Sequence, residues 1–317
     1  MPEPFLHPAP VNYISAINRI LIETALLHPD LVQMGENINK GSCIGGMTRN
    51  LPGRVLNIGN CENTHCGVGF GMMLNGASLA LYVKQLDFLL LGLDQIVNTY
   101  NLIRCQGQSQ ALGSFTIVVI VCDQGMQGPQ SSCNTLADLC SLARVDGYTL
   151  TNLAEARHLL GQYLVRPGFR IIALSQRLFN SPILDPEILY TSPNGGMIQY
   201  SDGPDLAIVC FNFSLPQGLR LAAECGRARL STSLFSAHPV LPHAWDMAVE
   251  AARSTGRLVA IDDGKGVNSI AYLLAEEVRR RAPHCQVTVL TRPEVSWTVG
   301  ADRFEIDYQA LVEAVRV

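Results

Sequence analysis

Glu62 is the side chain whose setting most readily supports chemistry. It follows a short predicted strand at Arg54–Ile58 and stands at the start of a predicted helix, within the segment Gly59–Asn98. A carboxyl group buried beside an apolar ligand holds its proton more readily than in water, so it can exchange that proton with the ligand. The alternative is a solvated acid that stabilises a helix N-terminus through the macrodipole. Taken alone, Glu62 fits the helix role better.

His65 lies one helical turn after Glu62 and could face the same ligand, although a histidine at a helix interface is the somewhat better explanation. Cys61, His65 and Cys66 lack a second pair of ligands at metal-binding distance, so we predict no metal site. The glycines at 67, 69 and 71 form G-x-G-x-G, which lacks the spacing and the ribose-binding acid of a dinucleotide fingerprint. We expect close helix packing from them instead.

Other motifs add little chemistry. The sequence contains neither a P-loop nor a G-x-S-x-G nucleophile elbow. The run Asp262–Gly266 follows a predicted strand and could hold a phosphate, but a plain turn before a helix explains it better.

Predicted strands and helices alternate along the chain. The run Phe115–Cys122 is continuous, apolar and β-branched, which is typical of a strand buried on both faces of a parallel sheet. We therefore predict an α/β fold with two doubly wound, mainly parallel sheets. The predicted strands cover 31–34, 54–58, 79–83, 115–122, 170–174, 205–212, 228–233, 258–262 and 286–290. The predicted helices cover 11–28, 89–104, 153–164, 217–225, 243–255, 269–281 and 307–317, and another begins near 63.

Two domains are predicted, at 1–185 and 205–317. The stretch 186–204 between them is rich in proline, glycine and asparagine, so we predict a linker there.

The composition excludes several classes of protein. Hydrophobic residues make up 48% of the 317 residues and charged residues 16%, with a formal net charge of -4. No basic field is available for nucleic acid or an anionic membrane, and no apolar run reaches the roughly 18–20 residues that span a bilayer. The first residues lack a secretory pattern and the ten cysteines have no repeated spacing, so we expect a cytoplasmic protein with reduced thiols.

The segment Gly59–Asn98 resembles the pyrimidine-binding domain of thiamine diphosphate enzymes of the transketolase superfamily. The resemblance is to the beta subunit of the decarboxylating component of 2-oxo acid dehydrogenase complexes, and it extends back through Glu36 and, more weakly, forward to the C-terminus. It implies a pyrimidine-binding domain at 1–185 and a smaller transketolase C-terminal-like domain at 205–317. Eight positions match without a gap: Glu62, Gly67, Gly71, Gly76, Phe88, Asp94, Gln95 and Asn98.

The resemblance implies roles for three side chains. In this family a glutamate hydrogen-bonds a ring nitrogen of the cofactor's aminopyrimidine and so promotes loss of the thiazolium proton, and Glu62 matches it. Phe88 matches the aromatic residue that stacks on the pyrimidine, a contact worth about 1–3 kcal/mol; a core phenylalanine is the alternative. Glu36, at the carboxyl end of a predicted strand, matches an active-site acid, with a surface turn as the equal alternative.

Two departures from the family concern the substrate. The family's substrate-binding histidine lies in a Q-H-S stretch, whereas the shorter loop Gly128–Cys133 has no histidine and offers Gln130 and Ser131 as candidate pocket residues. A second histidine, after a strand of the C-terminal domain, is replaced here by Asp262-Asp263. Both departures weigh against an ordinary pyruvate-like substrate.

The sequence also lacks half of the cofactor site. The superfamily holds Mg²⁺ and the diphosphate with Gly-Asp-Gly followed further on by Asn, and this chain has no such motif. We therefore expect an alpha-type partner subunit to hold both groups. By the same resemblance, two beta chains pair across a two-fold axis and two alpha chains complete a heterotetramer.

Together these features predict the beta-type subunit of a two-component thiamine diphosphate enzyme. It would form an acyl- or ketol-carbanion from a 2-oxo acid or ketose and transfer it to an acceptor. A decarboxylase or carboligase outside the standard lipoyl complexes is favoured, with a split transketolase small subunit as the alternative. A non-catalytic scaffolding paralogue is a third hypothesis, which Glu62 and Phe88 oppose and the missing histidine supports.

Overall fold

The computed structural model describes residues 11–106, 112–124, 134–266, 268–292 and 304–316. These residues form two six-stranded sheets, and helices connect many of the strands. The strands are β1 Val32–Gly35, β2 Arg54–Asn57, β3 Leu79–Val83, β4 Ser114–Val121, β5 Asp146–Leu150, β6 Gly168–Ser175, β7 Tyr190–Thr191, β8 Met197–Ser201, β9 Leu206–Phe211, β10 Thr232–Ala237, β11 Arg257–Asp262 and β12 Gln286–Thr291. The α-helices are α1 Tyr13–Leu27, α2 Glu62–Leu74, α3 Tyr100–Cys105, α4 Leu136–Ala143, α5 Leu153–His158, α6 Leu215–Arg227, α7 Asp246–Thr255, α8 Ile270–Arg281 and α9 Tyr308–Arg316.

The first sheet has the strand order β2-β1-β3-β4-β6-β5, and all of its strands are parallel. The chain runs outward from β1 to β2 and then crosses back past β1 to form β3. The winding direction therefore reverses between β1 and β3. In open parallel sheets a ligand crevice forms at such a point, beyond the carboxyl ends of the strands.

Strands β3 and β4 are buried along their whole length. Alternate residues of β3 enter two different apolar clusters, Leu81 one of them and Ala80 and Tyr82 the other. This two-sided burial is why the central strands have continuous apolar sequences instead of alternating ones.

The second sheet has the order β12-β11-β9-β10-β8-β7. Its first four strands are parallel, whereas β8 is antiparallel to both β10 and β7. The predicted α/β class with two doubly wound, mainly parallel sheets is confirmed. Both antiparallel strands lie within 186–204, so the predicted linker carries part of the second sheet. The three-part division of the chain stays a prediction, and this sheet favours a second domain that begins near Tyr190.

Several predicted elements need correction. The regular helix predicted at 89–104 is a 3₁₀ helix at Leu86–Gly92, a π-helical segment at Gln95–Thr99 and the short α3. The helix predicted at 153–164 likewise changes from α5 to a π-helical segment at Leu159–Tyr163. The strand predicted at 228–233 begins only at Thr232, because α6 continues to Arg227. The sequence analysis did not identify α4, β5, β7 or β8.

The glycines of α2 serve different purposes. A Cβ at Gly69 would lie 2.4 Å from the Phe115 ring, so glycine allows α2 to rest directly on the sheet. A Cβ at Gly71 would meet nothing within 4 Å, which leaves the outer face of the helix open there. Gly76 follows the helix with φ 78°, a conformation that favours glycine. Helix packing therefore explains Gly69 but neither Gly71 nor Gly76.

Polar contacts join the two sheets. The Tyr200 hydroxyl donates to Glu155 Oε1 at 2.5 Å, and both side chains are buried. The Arg177 guanidinium donates to Asp263 Oδ2 at 2.6 Å and lies 3.7 Å from Asp123 Oδ2. Asp123 follows a strand of the first sheet and Asp263 one of the second, so the guanidinium is shared between the sheets.

Among the described helices, none combines the length and the apolar content that crossing a membrane requires.

Candidate active site

A crevice open to solvent lies at the switch point between β1 and β3. Its walls come from the residues that follow the carboxyl ends of β1, β2 and β3, together with the first turn of α2 and the 3₁₀ helix Leu86–Gly92. Its polar lining side chains are Glu36, Asn60, Glu62, His65, Cys66, Tyr82 and Lys84, and Phe88 is among its apolar ones. Four residues predicted from the sequence as site candidates are thus brought together.

Glu62 is the first residue of α2, where the N-terminal backbone amides favour a negative charge. Its side chain is partly buried and lines the crevice. The carboxylate makes no hydrogen bond to any residue that the structure describes, so its acceptor capacity remains for a ligand. The helix role and the ligand role are therefore compatible at this position.

Glu36 follows β1 and is held by two amides. Asn37 Nδ2 donates to Glu36 Oε1 at 3.0 Å. With its amide oriented to satisfy its neighbours, the Asn60 nitrogen donates to Glu36 Oε2 at 2.6 Å. These two hydrogen bonds fix the position of the carboxyl group. Glu36 is thus a positioned acid in the crevice wall.

His65 lies three residues after Glu62 on the same side of α2 and is partly buried. Burial lowers the pKa of its imidazole below the ordinary value of 6.5, and the nearby Glu62 carboxylate opposes that shift. The imidazole is therefore mainly neutral at pH 7, with one nitrogen that donates and one that accepts.

Phe88 lies in the 3₁₀ helix and packs only partly against the apolar cluster beneath it. This helix rests on the first turn of α2, because a Cβ at Gly92 would lie 2.8 Å from Cys66 Sγ and 3.3 Å from the Glu62 carbonyl oxygen. The close approach places the aromatic ring and the glutamate in one crevice.

Two lining residues were not identified from the sequence. Lys84 directly follows β3 and is exposed, and Asn60 follows β2. In the sequence, each of them is recognisable only as a polar residue just beyond a predicted strand. The strand order of the folded sheet is what places the ends of β2 and β3 beside β1.

The remaining predicted candidates lie elsewhere. Gln130 and Ser131 fall outside the described residues, so their place in a pocket stays a prediction. Asp262 accepts hydrogen bonds from Asn212 Nδ2 at 2.5 Å, Ser269 Oγ at 2.5 Å and Gly264 N at 2.9 Å. Its hydrogen-bonding capacity is therefore used within the turn before α8, which favours the plain-turn interpretation over a phosphate site. Within the described ranges, no three His, Cys, Asp or Glu side chains are grouped as metal ligands.

No protein-family model matches the chain. It is 22% identical to pyruvate dehydrogenase E1 component subunit beta of Rhizobium meliloti over 84% of this chain and 59% of that protein. It is 24% identical to 2-oxoisovalerate dehydrogenase subunit beta 2 of Arabidopsis thaliana over 89% of this chain and 82% of that protein. It is 22% identical to acetoin:2,6-dichlorophenolindophenol oxidoreductase subunit beta of Cupriavidus necator over 84% of this chain and 83% of that protein.

Solved structures are similar along the whole chain. An inactive beta4 tetramer of a split gene transketolase has a TM-score of 0.71 at 17% identity, over 97% of this chain and 98% of that one. A transketolase from Campylobacter jejuni has a TM-score of 0.69 at 11% identity, over 99% of this chain and 48% of that one. The predicted resemblance to beta subunits of two-component thiamine diphosphate enzymes is confirmed.

Proposed function

Because the chain matches beta subunits of two-component thiamine diphosphate enzymes, we propose that it is the beta-type subunit of such an enzyme, active with an alpha-type partner. The observation that carries this proposal is the crevice at the switch point, where Glu62 and Phe88 lie together. We further propose a decarboxylase or carboligase that forms an acyl- or ketol-carbanion from a 2-oxo acid or ketose. The relatives that carry 2-oxo acid dehydrogenase names support the 2-oxo acid.

The residues of the crevice fit the aminopyrimidine half of thiamine diphosphate. Glu62 has a carboxylate without a hydrogen bond to the described residues, and Phe88 offers an aromatic face that the core only partly covers. Both lie where open parallel sheets bind ligands. The bound cofactor would supply a carbanion and an electron sink. Mg²⁺ and the diphosphate are assigned to the partner, since the sequence lacks Gly-Asp-Gly.

The chain's own residues would bind and orient. Glu62 would donate a proton to a ring nitrogen or share one with it, and Phe88 would hold the ring by stacking. Glu36, fixed by two asparagine amides, would present a positioned carboxyl group at one wall. Because this carboxyl group is already in position, no free energy is needed to reorient it when a ligand binds.

A split transketolase is the second candidate, supported by the structural neighbour of that name. Release of carbon dioxide separates the two activities, because decarboxylation produces it and ketol transfer does not. That neighbour is an inactive tetramer of beta chains, so a non-catalytic scaffold stays the third hypothesis.

Replacement of Glu62 tests the proposal. The chain would be expressed with a candidate alpha-type subunit, and turnover measured for wild type and for Glu62→Gln. We expect turnover to fall about 100-fold or more while assembly and circular dichroism stay unchanged, because the amide cannot exchange the proton. The matched control is Glu276→Gln, an exposed glutamate on α8, which should leave turnover unchanged. Activity of Glu62→Gln within about threefold of wild type would exclude Glu62 from the mechanism.

Self-association as a two-fold pair of beta chains is also part of the proposal. Val68 and Leu74, three residues before and after Gly71 on α2, are exposed apolar side chains, and the neighbouring 3₁₀ helix exposes Leu90 and Leu91. An apolar patch of this kind is typical of a protein interface. The beta4 tetramer of the split gene transketolase supports the same assignment.

We also propose the cytoplasm as the location. All nine described cysteines are free, and reduced thiols are typical of that compartment.

A further inference from the structure

The imidazole of His65 lines the crevice and has no hydrogen-bond partner among the described residues. The His65 backbone amide donates within α2, to the carbonyl of Cys61 at 3.0 Å. A polar ring half-buried beside an open crevice is placed to bind a ligand.

Other histidines of the chain have structural roles that His65 lacks. His238 is buried, and its Nδ1 accepts from the Thr149 backbone amide at 3.2 Å. His243 stacks on Trp245 with ring centroids 3.9 Å apart. The interpretation of His65 as a helix-interface histidine therefore loses its support, since no neighbouring element among the described residues contributes a hydrogen-bond partner.

Two of the side-chain hydrogen-bond donors that line the crevice are already bonded to other residues of the chain. The Tyr82 hydroxyl donates to Gln33 Oε1 at 3.0 Å, and the Asn60 amide to Glu36. Cys66 has a buried thiol, which is a weak donor, and burial raises its pKa to about 12. Among the lining side chains, His65 and Lys84 remain as uncommitted donors.

His65 and Lys84 suit different acceptor atoms of a ligand. Lys84 is an ammonium group, which pairs best with an anion. A neutral imidazole suits a carbonyl oxygen, which needs a donor and carries no full charge. The charged groups that face His65 are Glu62 on its own helix, Glu36 after β1 and Lys84 after β3. The two carboxylates cannot donate to a carbonyl while they are ionised.

We propose that His65 binds the donor substrate by donating a hydrogen bond from its ring N–H to the substrate's carbonyl oxygen. This inference rests on the proposed function and deepens it. It also places an imidazole in the substrate site of a chain whose loop at 128–133 has no histidine. A carbonyl compound, either a 2-oxo acid or a ketose, is the class of ligand expected.

Kinetics on the reconstituted complex provide the first test. Pyruvate, 2-oxoisovalerate and fructose 6-phosphate serve as donor probes for wild type, His65→Leu and His65→Gln. We expect His65→Leu to raise KM for the accepted probe about tenfold, because one substrate hydrogen bond is lost. His65→Gln keeps an N–H donor and should recover at least part of this loss. Unchanged KM in His65→Leu, or a loss that appears in kcat alone, would overturn the inference.

Chemical modification gives a readout that does not depend on turnover. Diethylpyrocarbonate acylates neutral imidazoles, and the extent at each histidine is read by peptide mass spectrometry. In the complex loaded with thiamine diphosphate, we expect added donor to slow modification of His65 at least about threefold. The internal control is His284, an exposed residue between α8 and β12, whose rate of modification should not change. Equal modification of His65 with and without donor would contradict the proposal.

Cofactor binding separates the two levels of inference. Calorimetry with thiamine diphosphate should give the same affinity for the wild-type complex and for His65→Leu. A wild-type complex that binds no thiamine diphosphate would overturn the proposed function itself. A complex that binds it normally, with His65 unaffected by any donor, would overturn only the role of His65. Loss of cofactor binding in His65→Leu would overturn the substrate role by reassigning His65 to the cofactor pocket.

Discussion

At the scale of single residues, Gly69 and Gly71 lie on opposite sides of α2. Gly69 is buried, and three ring atoms of Phe115 lie within 2.7 Å of where its Cβ would be. Phe115 is itself fully buried within an aromatic cluster with Phe70 and Phe169, so its ring has no room to move. Gly71 faces open space. Glycine is therefore sterically required at position 69, whereas the fold of a single chain has room for a larger residue at position 71.

Alanine at these two glycines should change stability in opposite directions. Gly69→Ala should destabilise the chain by about 1–3 kcal/mol, because overpacking exceeds the gain in helix propensity. Gly71→Ala should be neutral or stabilising by up to about 1 kcal/mol. Urea unfolding at one protein concentration measures both. Equal midpoints for the two variants would show that α2 does not rest on Phe115 as described.

The candidate site shows which residues a sequence can identify. Glu36, Glu62, His65 and Phe88 could be selected because each follows a predicted strand end or lies within the matched segment. Lys84 could not be selected, since its place beside Glu62 depends on the order of β2, β1 and β3. That order is set by long-range pairing and leaves no local pattern in the chain.

At the scale of elements, the strands buried on both faces were the most predictable. Leu79–Val83 was predicted with the observed bounds, and the strand at 115–122 was displaced by one residue. β5 was not predicted because its first residues, Asp146-Gly147, are typical of a turn. α4 was not predicted because it is only 8 residues long. A single helix was predicted at 89–104, whereas the chain forms an irregular helical run between 86 and 105. The side-chain hydrogen bond from Asn98 Nδ2 to Asp94 Oδ1, at 2.8 Å, joins residues four apart. A regular α-helix makes the same contact, so this pair of residues does not indicate the irregularity.

The outer face of α2 is the element for which we predict association. Gly71→Leu adds a bulky side chain at a position where the monomer has space. It should therefore weaken pairing of beta chains at least about tenfold while leaving the fold of one chain intact, since a two-fold contact presents the change twice. Light scattering and circular dichroism measure the two effects.

The matched control for Gly71→Leu is Gly226→Leu. Gly226 is an exposed glycine near the end of α6, and a Cβ there would also meet nothing within 4 Å. Gly226→Leu should associate as wild type does. If Gly71→Leu assembles equally well, the exposed face of α2 is not the contact.

At the scale of the whole molecule, the proposed function divides the cofactor site between two chains. The crevice supplies Glu62 and Phe88, but the sequence contains no Gly-Asp-Gly for the diphosphate. We expect the isolated chain to bind thiamine diphosphate with Mg²⁺ at least about 100-fold more weakly than the complex with the alpha-type subunit, a difference of about 2.7 kcal/mol. Calorimetry on both forms measures this. Micromolar affinity of the chain alone would show that the diphosphate site lies within it.

The contact between Gly92 and the first turn of α2 bears on how a ligand is received. Because the 3₁₀ helix and α2 touch at the backbone of Glu62, the two backbone segments that carry Glu62 and Phe88 lie against each other. Their packing is present before any ligand arrives, so little backbone ordering entropy is lost on binding. In the proposed complex, the partner subunit would close over a half-site whose backbone is already in place, and the affinity of the complete site would depend mainly on how well the two subunits dock.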